Sequence, residues 1–211
     1  MKTDDLIDLL AADPVPARPL GPALMTAWLG AVLFSSAAYL SVAGIRPDLG
    51  AALVDPVTIW KWLIPTLMAT GGIALARVLS RPDGRAGWLP VILVLACGLA
   101  GWLIANRLLT LPVEEWGPAF RGGTLLICLG SVFAIGLPGL VATLLVLRRG
   151  ATLRPRLAGL GAGLACGGAA ATLYALHCTE DDPLFFVTWY GTAIFALGAL
   201  GTVAGPRALH W

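Results

Sequence analysis

The sequence predicts an all-α fold: a polytopic membrane protein, a six-transmembrane-helix bundle with a short N-terminal cytoplasmic amphipathic helix. Three observations predict it. Of 211 residues, 58% are hydrophobic and only 12% charged, whereas an ordinary soluble domain carries about 25% charged residues. The apolar residues come in runs of roughly 20, the length a helix rising about 1.5 Å per residue needs to cross a hydrocarbon core of about 30 Å. Strand-like alternation over about ten residues, the mark of an outer-membrane barrel, does not appear.

The first element is residues 1–13, MKTDDLIDLLAAD. Thr3 is placed to act as N-cap, and Asp4 and Asp5 then fall in the first turn, where the helix dipole favours negative charge. Leu6, Leu9 and Leu10 recur at helical spacing and Ile7 widens the stripe. A helix of about ten residues is marginal alone in water, so it needs something to order against. Pro14, Pro16, Pro19 and Pro22 then break the helix and favour an extended tether over 14–21, at about 3.1 Å per residue. Docking of a protein partner, a fraying terminus and a helix resting on the bilayer all stand as readings. The last is disfavoured, because interfacial helices carry Lys or Arg on the polar face and this one carries Asp4, Asp5 and Asp8.

Residues 22–211 form the membrane domain, with spans expected at 22–44, 59–79, 88–106, 122–147, 157–177 and 184–204. The first is read as a span and not as a cleaved signal. Its apolar run exceeds the roughly 7–15 residues of a signal core, and its leader mixes Lys2 and Arg18 with four Asp. Alternate connections divide Lys and Arg ten to four. The richer side holds Lys2 and Arg18, then Arg77, Arg81 and Arg85, then Arg148, Arg149, Arg154 and Arg156, and Arg207, which places both termini in the cytoplasm of a bacterial inner membrane. Arg46, Lys61, Arg107 and Arg121 fall on the other side, with Asp48, Asp55, Glu114, Glu115, Glu180, Asp181 and Asp182.

Within the spans, Gly159, Gly163 and Gly167 repeat a small-xxx-small pattern that lets a neighbouring helix approach closely. Pro65 and the Pro138-Gly139 pair are expected to kink the second and fourth spans. Trp60, Trp62, Trp88, Trp116 and Trp189 lie near span ends, where amphipathic rings anchor a helix at the interface.

Four cysteines without a CxxC provide neither a thioredoxin-type pair nor a standard zinc spacing. Cys97 and Cys166 fall near the middle of their spans, where a thiol behaves as a small buried hydrophobe. Cys178 ends the fifth span, and Cys128 lies one and a half to two turns inside the fourth. Antiparallel packing of those two spans brings both to comparable depth. A disulfide there is geometrically possible, as are two unrelated buried thiols. The stretch His177-Cys178-Thr179-Glu180-Asp181-Asp182 gathers soft and hard ligand types. It is too short to close a stored metal site by itself, which leaves transient attack by a metal ion or an oxidant on Cys178. No phosphate-binding glycine loop with Lys, no Ser-His-Asp set and no H-E-x-x-H occurs, so the sequence argues against an enzyme and implies no cofactor. A small transporter or metal-handling permease is the alternative, weakened by midplanes with few polar groups. A membrane thiol oxidoreductase is a third.

Thr3-Asp4-Asp5-Leu6-Ile7, continuing through Leu10-Ala11-Ala12-Asp13 into the proline tether, is followed by six spans and a late His177-Cys178-x-Glu180-Asp181 with Trp189-Tyr190-Gly191. This order resembles the NrsF-type membrane anti-sigma factors along the whole chain. The resemblance implies that the N-terminal segment holds an extracytoplasmic-function sigma factor at the membrane, with no direct contact to nucleic acid. Asp4, Asp5, Leu6 and Ile7 would carry that contact, and the leucine stripe adds Leu9 and Leu10. The resemblance also implies that Cys128 and Cys178, exposed toward the periplasm, sense oxidants or heavy metals. How a thiol event crosses the bilayer is left open by the residues, a changed packing of the kinked fourth span on the glycine-lined fifth being one candidate.

Overall fold

The computed structural model describes residues 3–12 and 20–209 and, within the first stretch, the side chains of Thr3, Asp5, Ile7, Asp8 and Ala12. These residues form nine helices: α1 (Thr3–Ala12), α2 (Leu20–Ala43), α3 (Leu49–Ala52), α4 (Ile59–Leu79), α5 (Leu89–Thr110), α6 (Val113–Arg121), α7 (Leu125–Leu147), α8 (Pro155–Tyr174) and α9 (Pro183–Ala208). Six of them, α2, α4, α5, α7, α8 and α9, are long and apolar enough to cross a membrane. They fit a multi-pass membrane protein. The side chains of Asp4, Leu6, Leu9 and Leu10 and most of the expected tether lie outside the described residues; in α1, Ile7 is exposed.

The helix α6 falls where the sequence reading placed only a connection, just before the expected start of the fourth span at Gly122. Pro112 precedes it and Glu114 and Glu115 occupy its first turn, both favourable at a helix start. Gly122 ends it at φ +53°, in the left-handed region, packed so closely on the Phe185 ring and Glu180 that a side chain has neither the conformation nor the space. Because the chain turns there, α7 starts only at Leu125 and Cys128 sits in its first turn, with its N–H donating to Thr124 O at 2.8 Å.

The centre of the bundle is α8, whose small residues allow two neighbours to approach it at once. Gly159 and Gly163 meet the backbone of α9 at Gly201 and Leu197, and a methyl on Gly167 would stand 2.8 Å from Ile194 Cα. A second face meets α4: methyls on Gly161 and Gly168 would lie 2.8 Å from Gly72 O and 2.5 Å from Pro65 O. With lipid outside and no water to expel, such close van der Waals packing is what holds membrane helices together. The triplet is thus the close-packing device the sequence indicated, and the neighbour it seats is the sixth span. The fourth reaches α8 through Gly136 and Gly139, which pack on Cys166.

Hydrogen bonds join α2 to α7: Ser35 Oγ donates to Ile135 O at 2.9 Å and Ser131 Oγ to Tyr39 Oη at 3.0 Å. The remaining surface of α2 is apolar. Only Leu24, Trp28, Val32 and Ser36 are buried along it, a stripe at spacing four, while Leu33 and Phe34 face outward. On α5 only Ala96 and Leu103 are buried, and Cys97 is exposed, not buried as expected, bordering a cleft that Met68 of α4 and Tyr190 of α9 also line. Apolar belts of this kind on a single chain fit a lipid environment.

The connections gather at two ends. At one, Ala151 N donates to Ser80 O at 3.1 Å; at the other, Arg46 N donates to Leu176 O at 2.9 Å. The second end carries the thiols.

Candidate functional site

Cys178 follows α8, in the connection that leads to α9, with its N–H donating to Tyr174 O at 3.1 Å. Cys128 opens α7 beside it, and the two side chains interact thiol to thiol. Both are free thiols, 4% and 0% exposed. The structure thus joins the two cysteines but buries them, correcting the expectation that they lie open toward the periplasm. Tyr174 and Tyr190 stack edge-on at 5.8 Å near the pair. The hydrogen bond from Cys128 holds Cys178 below the ordinary thiol pKa; burial opposes this, and the positive charge of Lys61 adds to the lowering.

Two buried cations grip the same turn. Lys61, in the first turn of α4, is wholly buried, and its Nζ donates to Cys178 O at 2.7 Å, Glu180 O at 2.9 Å and Asp181 Oδ1 at 2.9 Å. An ammonium has three donors and here all three are used, so the charge is not stranded. Arg46, just past α2, reaches the same carbonyl through Nη1 at 3.1 Å. It also binds Asp48 and Asp181 two-pronged, with Nη2 at 2.8 Å and 2.6 Å. Its hydrogen bonds to the Asp48 and Asp181 carboxylates push the guanidinium pKa further up. Asp48 in turn falls to about 2 through its bond to Arg46. Burial alone would raise Asp181, but the hydrogen bonds and charges of Arg46 and Lys61 outweigh it and hold it below the carboxylate range.

The rest of the turn is spoken for in the same way. Glu180 Oε1 accepts from Gly123 N at 2.8 Å, Asp182 accepts from Arg107 Nη2 at 2.8 Å and caps α9 through Leu184 N, and His177 Nδ1 lies 2.9 Å from Gly44 O. The acids that supplied hard ligand types in the sequence are thus counter-ions, caps and acceptors within the turn. Among the described residues, no group of three or more His, Cys, Asp or Glu is arranged to hold a metal ion. What the site can do chemically is thiol chemistry: a buried pair within mutual reach, on a turn whose backbone is tied to α4 and to the end of α2.

Sequence reasoning missed Lys61 and Arg46, which were counted only as loop charges. A signal for Lys61 existed: it stands three residues into an apolar span, and an ionisable residue there is a functional candidate by default. For Arg46 the sequence carried no comparable sign. Cys166 is buried within α8, with Thr143 Oγ1 3.7 Å from its sulfur.

No solved structure matches the chain. The Anti-sigma-F factor NrsF of Caulobacter vibrioides (strain NA1000 / CB15N) is 39% identical over 223 positions, covering 100% of both chains. The Probable anti-sigma-F factor NrsF of Azospira oryzae (strain ATCC BAA-33 / DSM 13638 / PS) is 34% identical over 218 positions, again covering 100% of both. The family described as Negative regulator of sigma F matches residues 10–211, and with that match and two full-length relatives the chain belongs to the NrsF family.

Proposed function

We propose that this chain is a membrane-bound anti-sigma factor with a regulatory and not an enzymatic role. Its N-terminal segment, residues 1–13, sequesters an extracytoplasmic-function sigma factor at the cytoplasmic face of the bacterial inner membrane, and residues 14–21 tether it to the six-helix domain. Asp4, Asp5, Leu6, Ile7, Leu9 and Leu10 carry the contact. The sigma factor is released under oxidative or heavy-metal stress acting through Cys128 and Cys178. The full-length match to an Anti-sigma-F factor is the observation that carries this reading.

Physical chemistry supports both halves. A short helix with an apolar stripe and acidic flanks suits a hydrophobic groove with a basic rim, and its marginal stability alone lets it exchange between free and bound states. A buried thiol pair whose turn is tied to two separate elements gives oxidation a mechanical consequence, because a disulfide draws two Cα atoms to within about 7 Å. The test is co-purification of the sigma factor from detergent with the intact chain and with residues 1–13 deleted. Loss on deletion, with membrane insertion retained, is expected; undiminished retention overturns the reading.

A further inference from the structure

We propose that Cys178 is the thiol attacked by the oxidant, that Cys128 is the thiol that resolves it, and that Lys61 is the positioning residue that makes this order. This deepens the sensor reading above and rests on it. A recess of about 290 Å³ opens beside the pair and is lined by Arg46, Thr124, Tyr174, His177 and Cys178 among others. Cys128 does not line it and has no exposed surface. A small polar oxidant therefore meets Cys178 first. Thr124 Oγ1, buried and without a hydrogen-bond partner among the described residues, also borders the recess and is a donor or acceptor for such a guest.

Lys61 supplies the electrostatic half. Its three bonds fix the ammonium against the carbonyls of Cys178 and Glu180 and the side-chain carboxylate of Asp181, so a wholly buried positive charge is held beside the Cys178 turn. Positive charge favours thiolate, and thiolate is the nucleophile. Cys128 interacts with the neighbouring sulfur and has no cation bonded to its own backbone; its amide is used within α7.

With a hydroperoxide as oxidant, the Cys178 thiolate attacks the distal peroxide oxygen. The S–O bond forms, the O–O bond breaks and the departing alkoxide or hydroxide takes a proton. Sulfur loses two electrons and the peroxide gains them. The Cys128 sulfur then attacks the Cys178 sulfenic acid, the S–S bond forms, the S–O bond breaks, and hydroxide leaves as water with the proton from Cys128.

The experiment treats the full chain in detergent with hydrogen peroxide and traps sulfenic acid with dimedone, locating the adduct by peptide mass. Cys128→Ser is expected to accumulate the adduct on Cys178, and Cys178→Ser to give none on Cys128 at the same dose. Lys61→Met is expected to slow oxidation of Cys178 by about tenfold, the effect of one unit of thiol pKa, with Lys61→Arg restoring most of it. A merely structural Lys61 has the opposite sign, since a loosened turn exposes Cys178 and speeds labelling. An adduct on Cys128 in Cys178→Ser, or Lys61→Met reacting as fast as the parent, overturns the assignment. If Lys61→Met does not insert, the two serine variants decide the order by themselves. Sigma retention is measured in the same samples: a disulfide formed through Cys178 with the partner still bound supports the order of attack and overturns the sensor reading instead.

Discussion

Lys61 Nζ donates to the carbonyl oxygen of Cys178 at 2.7 Å, across 117 residues of chain. That single bond joins the first turn of α4 to the thiol-bearing turn between α8 and α9. Arg46 donates to the same oxygen from the end of α2, so three separate parts of the chain converge on one carbonyl.

Removing the ammonium leaves that carbonyl and Asp181 short of a buried partner. Lys61→Met is expected to destabilise the folded protein by about 3 kcal/mol, the scale for breaking one side of a buried ion pair. Unfolding in detergent measured by a chaotrope titration checks this, and an unchanged midpoint argues against the clamp.

Acid opens the same clamp. Asp48 and Asp181 have folded-state pKa values below the ordinary 3.8, Asp48 at about 2. A depressed carboxylate stabilises the fold above its unfolded pKa, and that contribution is lost as pH falls through the folded value. Thermal stability should therefore be insensitive to these groups above about pH 4 and drop between about 4 and about 2. Asp181→Asn should shrink that acid-dependent drop while lowering stability at neutral pH.

Two glycines of similar local sequence should respond oppositely to alanine. A methyl on Gly163 would overlap Leu197 O and crowd Gly198 Cα at 2.7 Å, backbone that cannot move aside, whereas Gly98 on α5 has nothing within 4 Å. Gly163→Ala should cost about 1–3 kcal/mol, the scale for overpacking a tight core. Gly98→Ala should be neutral or slightly stabilising, and a shared effect of both would remove the α8–α9 contact as the explanation.

Cys97 and Cys166 provide an internal control. Cys97 is exposed on α5 and Cys166 is buried in α8 against Thr143. Cys97→Ala with Cys166→Ala should leave peroxide-driven pairing of Cys128 and Cys178 intact, read by gel shift after thiol capping. Failure of the double variant to form the pair would show that the chemistry runs through another thiol.

Much of this was legible in the residues. Apolar runs of span length predicted all six long helices, because the bilayer imposes a length that few other constraints imitate. Gly159, Gly163 and Gly167 announced a close helix contact, since only small residues permit one. The identity of the partner helix did not follow: the triplet seats α9, and a neighbouring pair of glycines on the other face of α8 seats α4. The helix α6 was missed because nine residues with two acids, a glycine and a proline read as loop. Its presence is what moved Cys128 into the first turn of α7.

By itself the sequence determined the class of the molecule, its six spans, the resemblance that led to its family and the two cysteines worth pairing. All of these depend on composition, length or local order along the chain. Only the tertiary structure decided that both thiols are buried, that the acids after Cys178 serve as counter-ions, and that Lys61 and Arg46 hold its carbonyl. The physical reason is that a buried charge is tolerable only where its partners converge from distant parts of the chain. That convergence is a property of the folded bundle and leaves no pattern in the neighbouring residues.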